Sequence, residues 1–251
     1  MIQSMANLYD THCHIDLFED QNSVIYDINN LGSYTIAVTN LPPLFTSLKN
    51  KINSKFIRIA LGFHPELIED YKHHIPKMWH LLPDARYIGE VGLDYKKGGN
   101  KQLQQSFLET LIEKSNEYDH KIFSFHSRGG ENDLLTIIGD KFLHTAILHW
   151  FSGSNMQIDN AISKGAYFSI NYSMMQTNKG KSLITRVPKS KILIETDAPF
   201  VSMSNKPFLP SDIHYIISSI SKIWGNTYDD AKEILWNNFK NILFTRNNCS
   251  M

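Results

Sequence analysis

Apolar and β-branched residues fall in short runs along the chain, and segments with helical spacing separate them. Eight runs have strand length: Leu8–Ile15, Tyr34–Thr39, Phe56–Gly62, Arg86–Val91, Ile122–His126, Thr145–Trp150, Tyr167–Ile170 and Ile192–Glu195. The clearest helical stripe lies in Lys101–His120, where Leu103, Phe107, Leu108, Leu111, Ile112 and Ser115 share one face. Helices are also predicted at Ser23–Asn30, Pro43–Lys51, Glu66–Leu82 (interrupted by Pro76), Glu131–Asp140, Asn155–Lys164, Asn178–Arg186, Ser211–Trp224 and Tyr228–Phe244. Strands alternating with helices predict an α/β fold, a parallel (β/α)8 TIM barrel. Gly98-Gly99 and Gly129-Gly130 read as turns between strand and helix. With no linker, repeat or low-complexity tract, residues 1–251 are expected to form one domain.

Six of these strands end in imidazoles, carboxylates or both. The segments are Asp10-Thr11-His12-Cys13-His14, Gly62-Phe63-His64-Pro65, Gly89-Glu90-Val91-Gly92-Leu93-Asp94, Phe125-His126-Ser127-Arg128, Leu148-His149-Trp150-Phe151 and Glu195-Thr196-Asp197-Ala198-Pro199. Active sites of this barrel sit at the C-terminal ends of its strands. Imidazole and carboxylate suit hard or borderline divalent metals. The pattern therefore predicts a metal-dependent hydrolase.

His12 and His14 lie two apart on a strand, so they share a face and can grip one ion. Asp10 shares that face one step deeper, where it is expected to orient an imidazole. Cys13 points the other way, into the core. Glu90 is a carboxylate that can bridge two metals; the alternative is a helix cap or an ion pair with Arg86 or Arg128. Asp94 reads as a loop hydrogen-bonder. His126 and His149 end successive strands. Asp197 ends the last strand, where it can bind metal and take a proton from water, and Glu195 supports it from below or forms a core ion pair. His64 is expected to contact a substrate phosphate or donate a proton, or else to cap its loop. Arg128 can clamp a phosphate with its planar fork, or sit on the surface. The other histidines, His73, His74, His80, His120, His144 and His214, are expected at the surface or in packing.

Composition narrows this little. The chain has 251 residues, 42% of them hydrophobic, with 25 basic and 25 acidic side chains. A nucleic-acid binder with a broad basic face is usually more positive, but a metal site can itself supply positive charge to a phosphate. Cys13 and Cys249 give no disulfide framework. The start, Met1 to Ala6, lacks the basic and apolar run of a signal peptide, and no apolar stretch reaches ~18 residues. A cytoplasmic enzyme without a membrane span is expected. There is no nucleotide-binding glycine loop.

In order and spacing, the six strand-end segments, with Ile88 opening the third and Gly153 closing the fifth, resemble the TatD family of metal-dependent deoxyribonucleases over about Leu8 to Val201. The resemblance implies a barrel of the metal-dependent hydrolase superfamily that cuts phosphodiesters, often from DNA 3′ ends, with two divalent ions (Mg²⁺, Mn²⁺ or Zn²⁺). Carried over, His12, His14, Glu90 and Asp197 would hold one ion, and Glu90, His126 and His149 the second. Two departures stand out. Glu66 follows the Gly-Phe-His-Pro segment where relatives commonly have histidine. Ser202 to Ser211 holds one lysine and no arginine where relatives usually carry an arginine-rich loop. The closest fit is a divergent branch like the TatD-like nucleases of bacterial antiphage gene clusters, which implies DNA as substrate and partner proteins of a defence system. Two other readings fit the same residues: hydrolysis of a small amide, ester or lactone, and a metal-binding, non-catalytic subunit of a complex.

Overall fold

The computed structural model describes residues 8–97 and 99–245; Gly98, Cys249 and the segment from Met1 to Ala6 lie outside them. Eight strands form the barrel: β1 (Tyr9–Cys13), β2 (Tyr34–Ala37), β3 (Ile57–Ile59), β4 (Tyr87–Gly92), β5 (Ile122–His126), β6 (Thr145–His149), β7 (Tyr167–Ile170) and β8 (Ile192–Ile194). All pairings among them are parallel, in the orders β1-β2-β3 and β4-β5-β6-β7-β8. Two seams close the ring. Leu61, just past β3, pairs with Ile88, through Leu61 N to Tyr87 O and Gly89 N to Leu61 O, both 2.9 Å. On the other side the ends of β1 and β8 exchange Asp197 N to His12 O at 2.9 Å and His14 N to Ala198 O at 2.8 Å. The fold is a (β/α)8 TIM barrel.

The helices are α1 (Gln21–Leu31), α2 (Pro42–Lys51), α3 (Ile75–Leu81), α4 (Lys101–Ser115), α5 (Glu131–Ile138), α6 (Asn155–Ser163), α7 (Tyr172–Met175), α8 (Asn178–Arg186), α9 (Ile213–Trp224) and α10 (Tyr228–Phe244). Local chemistry sets their ends. Asn100 caps α4 by accepting from Leu103 N, and Ser154 with Gln157 forms a capping box on α6. Pro76 does not interrupt a long helix; it lies in the first turn of α3, where a missing N–H costs nothing. The predicted Glu66–Leu82 helix is thus two single turns followed by α3. Where relatives carry an arginine-rich loop, a short antiparallel hairpin forms from β9 (Ser202–Met203) and β10 (Lys206–Pro207).

The interior is apolar away from the strand ends, with Phe63, Phe123, Phe125 and Phe168 fully buried. Helix α10 packs on the barrel wall through Phe239, stacked on Tyr9 at 4.3 Å, and through Asn238, which donates to Lys189 O and Ile192 O. The buried ammonium of Lys121, before β5, is satisfied by the carbonyls of Leu82 and Ala85 at 2.9 and 2.7 Å. Among the described residues no helix is long and apolar enough to cross a membrane.

The strand-4 motif needs its second glycine. Gly92 has φ +141°, and a Cβ there would lie 2.0 Å from His126 O. Gly92→Ala is expected to cost at least about 2 kcal/mol, by overpacking on a backbone conformation closed to alanine. At ~2–4 °C per kcal/mol for a chain this long, thermal melting should fall by about 4–8 °C; an unshifted midpoint would remove the steric role.

Candidate metal centre

Two irregularities in strand pairing aim the central side chains. The β1–β2 register shifts between Asp10 and Cys13, which brackets His12, and the β4–β5 register shifts between Ile88 and Val91, which brackets Glu90. Such shifts re-aim side chains near sites. The side chains of His12, His14, Glu90, His126, His149 and Asp197 converge on one cluster.

The Glu90 carboxylate is its hub. Its Oε2 lies 3.7 Å from His12 Nε2 and 3.4 Å from His14 Nε2. Its Oε1 lies 2.6 Å from His126 Nδ1, 3.5 Å from His64 Nε2 and 3.7 Å from His149 Nε2. Asp197 Oδ1 completes the first group, 3.8 Å from His12 Nε2 and 3.7 Å from His14 Nε2, and those two nitrogens are 3.2 Å apart. Four ligand atoms ~2.1 Å from one tetrahedrally held ion lie about 3.4 Å from each other. The nitrogen–nitrogen and nitrogen–oxygen distances here are close to that value, and the donor set, two imidazoles and two carboxylates, is one that divalent ions favour.

Three of the imidazoles are held from behind, while His14 Nδ1 is buried without a hydrogen-bond partner. Ser124 Oγ sits 2.7 Å from His12 Nδ1, Asp94 Oδ2 accepts from His126 Nε2 at 2.9 Å, and Glu195 Oε1 lies 2.9 Å from His149 Nδ1. Outer carboxylates of this kind fix ring orientation and tautomer. Asp94 also caps its loop, as expected, through Lys96 N and Lys97 N. Glu195 further accepts from Trp150 N and Asn171 Nδ2. Asp10 does not orient an imidazole. Its oxygens accept from His12 N, Thr196 N and Thr196 Oγ1, so it staples β1 to the end of β8. The register shift in β1 turns its carboxylate toward backbone N–H groups.

His64 belongs to the second lobe: His64, Glu90 and His126 present ligand atoms within 4.8 Å of one another. Its Nδ1 accepts from Glu66 N at 3.3 Å. Its Nε2 faces Glu90 Oε1 at 3.5 Å. His64 therefore caps its loop and also turns Nε2 into the pocket.

Burial and charge act against each other throughout the cluster. Burial alone would raise Glu90, but the charges of His64 and His126 hold it well below the usual carboxylate range. Burial holds His12 well below the usual imidazole value. For His126 and His149 burial is outweighed by facing carboxylates, Glu90 with Asp94 and Glu195 with Asp197, which push the rings up to about 9 and about 10. Burial raises Asp197 to about 7 against the pull of His149 and His14.

Above this cluster opens a cleft of about 590 Å³. Arg128 lines it from an exposed position. Sequence reasoning missed Lys97, Trp150 and Phe200, which line it too, and Ser124 beneath it. The signal was faint but present: each lies within three residues of a singled-out His or Asp. Glu66, the departure after Pro65, faces the cleft and pairs with Lys97 at 3.5 Å. The remaining histidines lie outside the cleft: His73, His80 and His214 are exposed, His74 and His120 half-buried, and His144 packed inside.

Comparison with known proteins agrees with this architecture. The profile of TatD related DNases matches residues 9–244. An uncharacterized metal-dependent hydrolase of Bacillus subtilis, YabD, is 26% identical over 94% of this chain and 98% of its own. The 3′-5′ ssDNA/RNA exonuclease TatD of Salmonella typhimurium is 31% identical over 47% of this chain and 48% of its own. The crystal structure of the TatD homologue YjjV from Escherichia coli superposes with a TM-score of 0.83 at 22% identity, covering 95% of this chain and 98% of that one. A family match that spans nearly the whole barrel and takes in every strand-end segment makes this chain a member of the TatD-related metal-dependent hydrolases.

Proposed function

We propose that the chain is a two-metal phosphodiesterase that cuts nucleic acid, DNA first, and acts on single strands from the 3′ end. The observation that carries this reading is the division of labour within Glu90. One oxygen faces His12 and His14, and the other faces His126, His149 and His64. Among these side chains only a carboxylate offers two such acceptors to two neighbouring ions. On this reading His12, His14, Glu90 and Asp197 hold one ion, and Glu90, His126 and His149 the other. Divalent ions there would supply Lewis acidity to a phosphoryl oxygen and a lowered pKa to water.

The chain's own groups do the rest. Asp197, at φ +50° and nearly fully buried, would hold the attacking water and take its proton. His64 directs its Nε2 proton toward the phosphate or the leaving oxygen. Arg128 and Lys97 add positive charge at the rim. None of these groups forms a base-reading set, so cleavage is expected to show limited sequence preference. The TatD exonucleases among the relatives, named for ssDNA and RNA, point to the same substrate class. The reading also includes one domain over residues 1–251, a cytoplasmic setting and a place among the antiphage TatD-like nucleases with their partner proteins. The test is metal-loaded protein, with Mg²⁺, Mn²⁺ or Zn²⁺, on 3′- and 5′-labelled single strands and duplexes, beside a generic ester. Ester turnover without strand cleavage would select the small-molecule hydrolase instead.

Glu90→Gln should reduce cleavage more than His64→Ala does, and lower bound metal below two ions per chain, as read by elemental analysis. Near wild-type turnover in Glu90→Gln at saturating metal would rule out a bridging role.

Asp197→Asn should fold normally, because asparagine tolerates positive φ. Its single-turnover cleavage should fall ~10²–10⁴-fold. A loss within threefold would remove Asp197 as the base.

Metal uptake should release protons. In the metal-free chain His126 and His149 stay protonated up to about 9 and about 10, and an imidazole binds metal only after that proton leaves. Both values lie above the ordinary one near 6.5, so the ion pairing is complete below pH 6.5 and is lost as pH rises through 9 to 10. Metal affinity should therefore climb from pH 6 to 9, and Mn²⁺ added at pH 7.5 in weak buffer should acidify the solution. Uptake with no acidification would contradict the assignment of these two rings.

A further inference from the structure

Two large aromatic side chains stand at the mouth of the cleft, where burial does not account for them. Trp150 is 38% exposed and Phe200 60% exposed, and both line the cleft. Each is edge-on to a histidine of the centre: Trp150 to His149, with centroids 6.3 Å apart, and Phe200 to His14, at 5.1 Å. The backbone beneath them is fixed. Trp150 has φ +39°, a region that bulky residues avoid, and its N–H donates to Glu195 Oε1 at 3.2 Å. The carboxylate that faces His149 therefore also sets the peptide that aims the indole. Phe200 N donates to Asp197 O at 2.8 Å, which ties the second ring to the turn that carries Asp197. A bulky residue kept in an unfavourable conformation at a cleft marks a place where position matters.

We propose that Trp150 and Phe200 are stacking platforms for unpaired nucleobases next to the phosphodiester brought to the centre, and that they select single-stranded over double-stranded substrate. The inference rests on the phosphodiesterase reading above and names the residues that set its substrate class. An indole and a phenyl ring can each take the face of any base, whatever its sequence. A base inside a duplex has both faces covered by its neighbours, so it cannot stack on protein without first being unpaired. The rim cations Lys97 and Arg128 lie in the same cleft, where backbone phosphates of such a strand would run. The platforms add affinity without sequence readout.

The test compares wild type with Trp150→Ala, Phe200→Ala, the double variant and Trp150→Phe, with melting and metal content measured alongside. The substrates are a natural single strand, the same strand with abasic sugars at its terminal positions, and the natural duplex. Stacking on one aromatic side chain corresponds to about 5- to 150-fold per base. Each alanine variant should raise KM for the natural strand at least about 5-fold, and Trp150→Phe should recover most of that loss. In wild type the abasic strand should bind more weakly than the natural one; in the double variant that ratio should approach one, and so should the preference for strand over duplex. Equal losses on natural and abasic strands, or no loss on either, would overturn the proposal. Tryptophan fluorescence separates it from the phosphodiesterase reading: oligothymidylate should quench wild type and not Trp150→Phe. Quenching at Trp150 without any cleavage would end the phosphodiesterase reading and leave the platform. Cleavage with neither quenching nor abasic discrimination would do the reverse.

Discussion

Five carboxylates, Asp10, Glu90, Asp94, Glu195 and Asp197, are almost completely removed from water at one end of the barrel. Unbalanced charge in such a place is very costly, and the rest of the site follows from how it is balanced. Asp10 is satisfied by two backbone N–H groups and a hydroxyl. The other four face imidazoles. His126 and His149 are held protonated by those neighbours, while His12 stays neutral under burial. In the metal-free chain two imidazolium rings thus occupy the electrostatic role that divalent cations are proposed to take. The same balance makes the pocket a good cation site and ties loading to proton loss.

The barrel supplies the rigidity this arrangement needs. The groups come from the ends of β1, β3, β4, β5, β6 and β8 or the turns just after them, and the two seams of the ring run through the same residues. His12 O accepts from Asp197 N, Asp10 joins β1 to Thr196, and Phe63 N donates to Glu90 O. Closing the sheet therefore brings the groups of the centre together. Gly92 lets β4 come close to His126 O, and the positive φ values of Trp150 and Asp197 turn the chain sharply where β6 and β8 end. These local conformations would be unfavourable in isolation; here they point functional groups into one cleft.

Much of this is legible in the chain itself. Alternating apolar runs and helical stripes determine a parallel barrel, because strands buried on both faces must read as continuous apolar runs. A side-chain period of two places His12 and His14 on one face. The barrel's geometry brings strand ends together, so the imidazoles and carboxylates at those ends converge. What the sequence could not determine is lateral contact between strands, which depends on register and on its irregularities. Only the tertiary structure decided that Ser124, Asp94 and Glu195, rather than Asp10, stand behind the rings, because the shift in β1 turns Asp10 toward backbone N–H groups. Only it showed that His64 turns Nε2 inward, toward Glu90, while Nδ1 takes a hydrogen bond from Glu66 N. Only it placed Trp150, Phe200 and Lys97 at the rim, because no periodic pattern governs where the turn after a strand leaves its side chains.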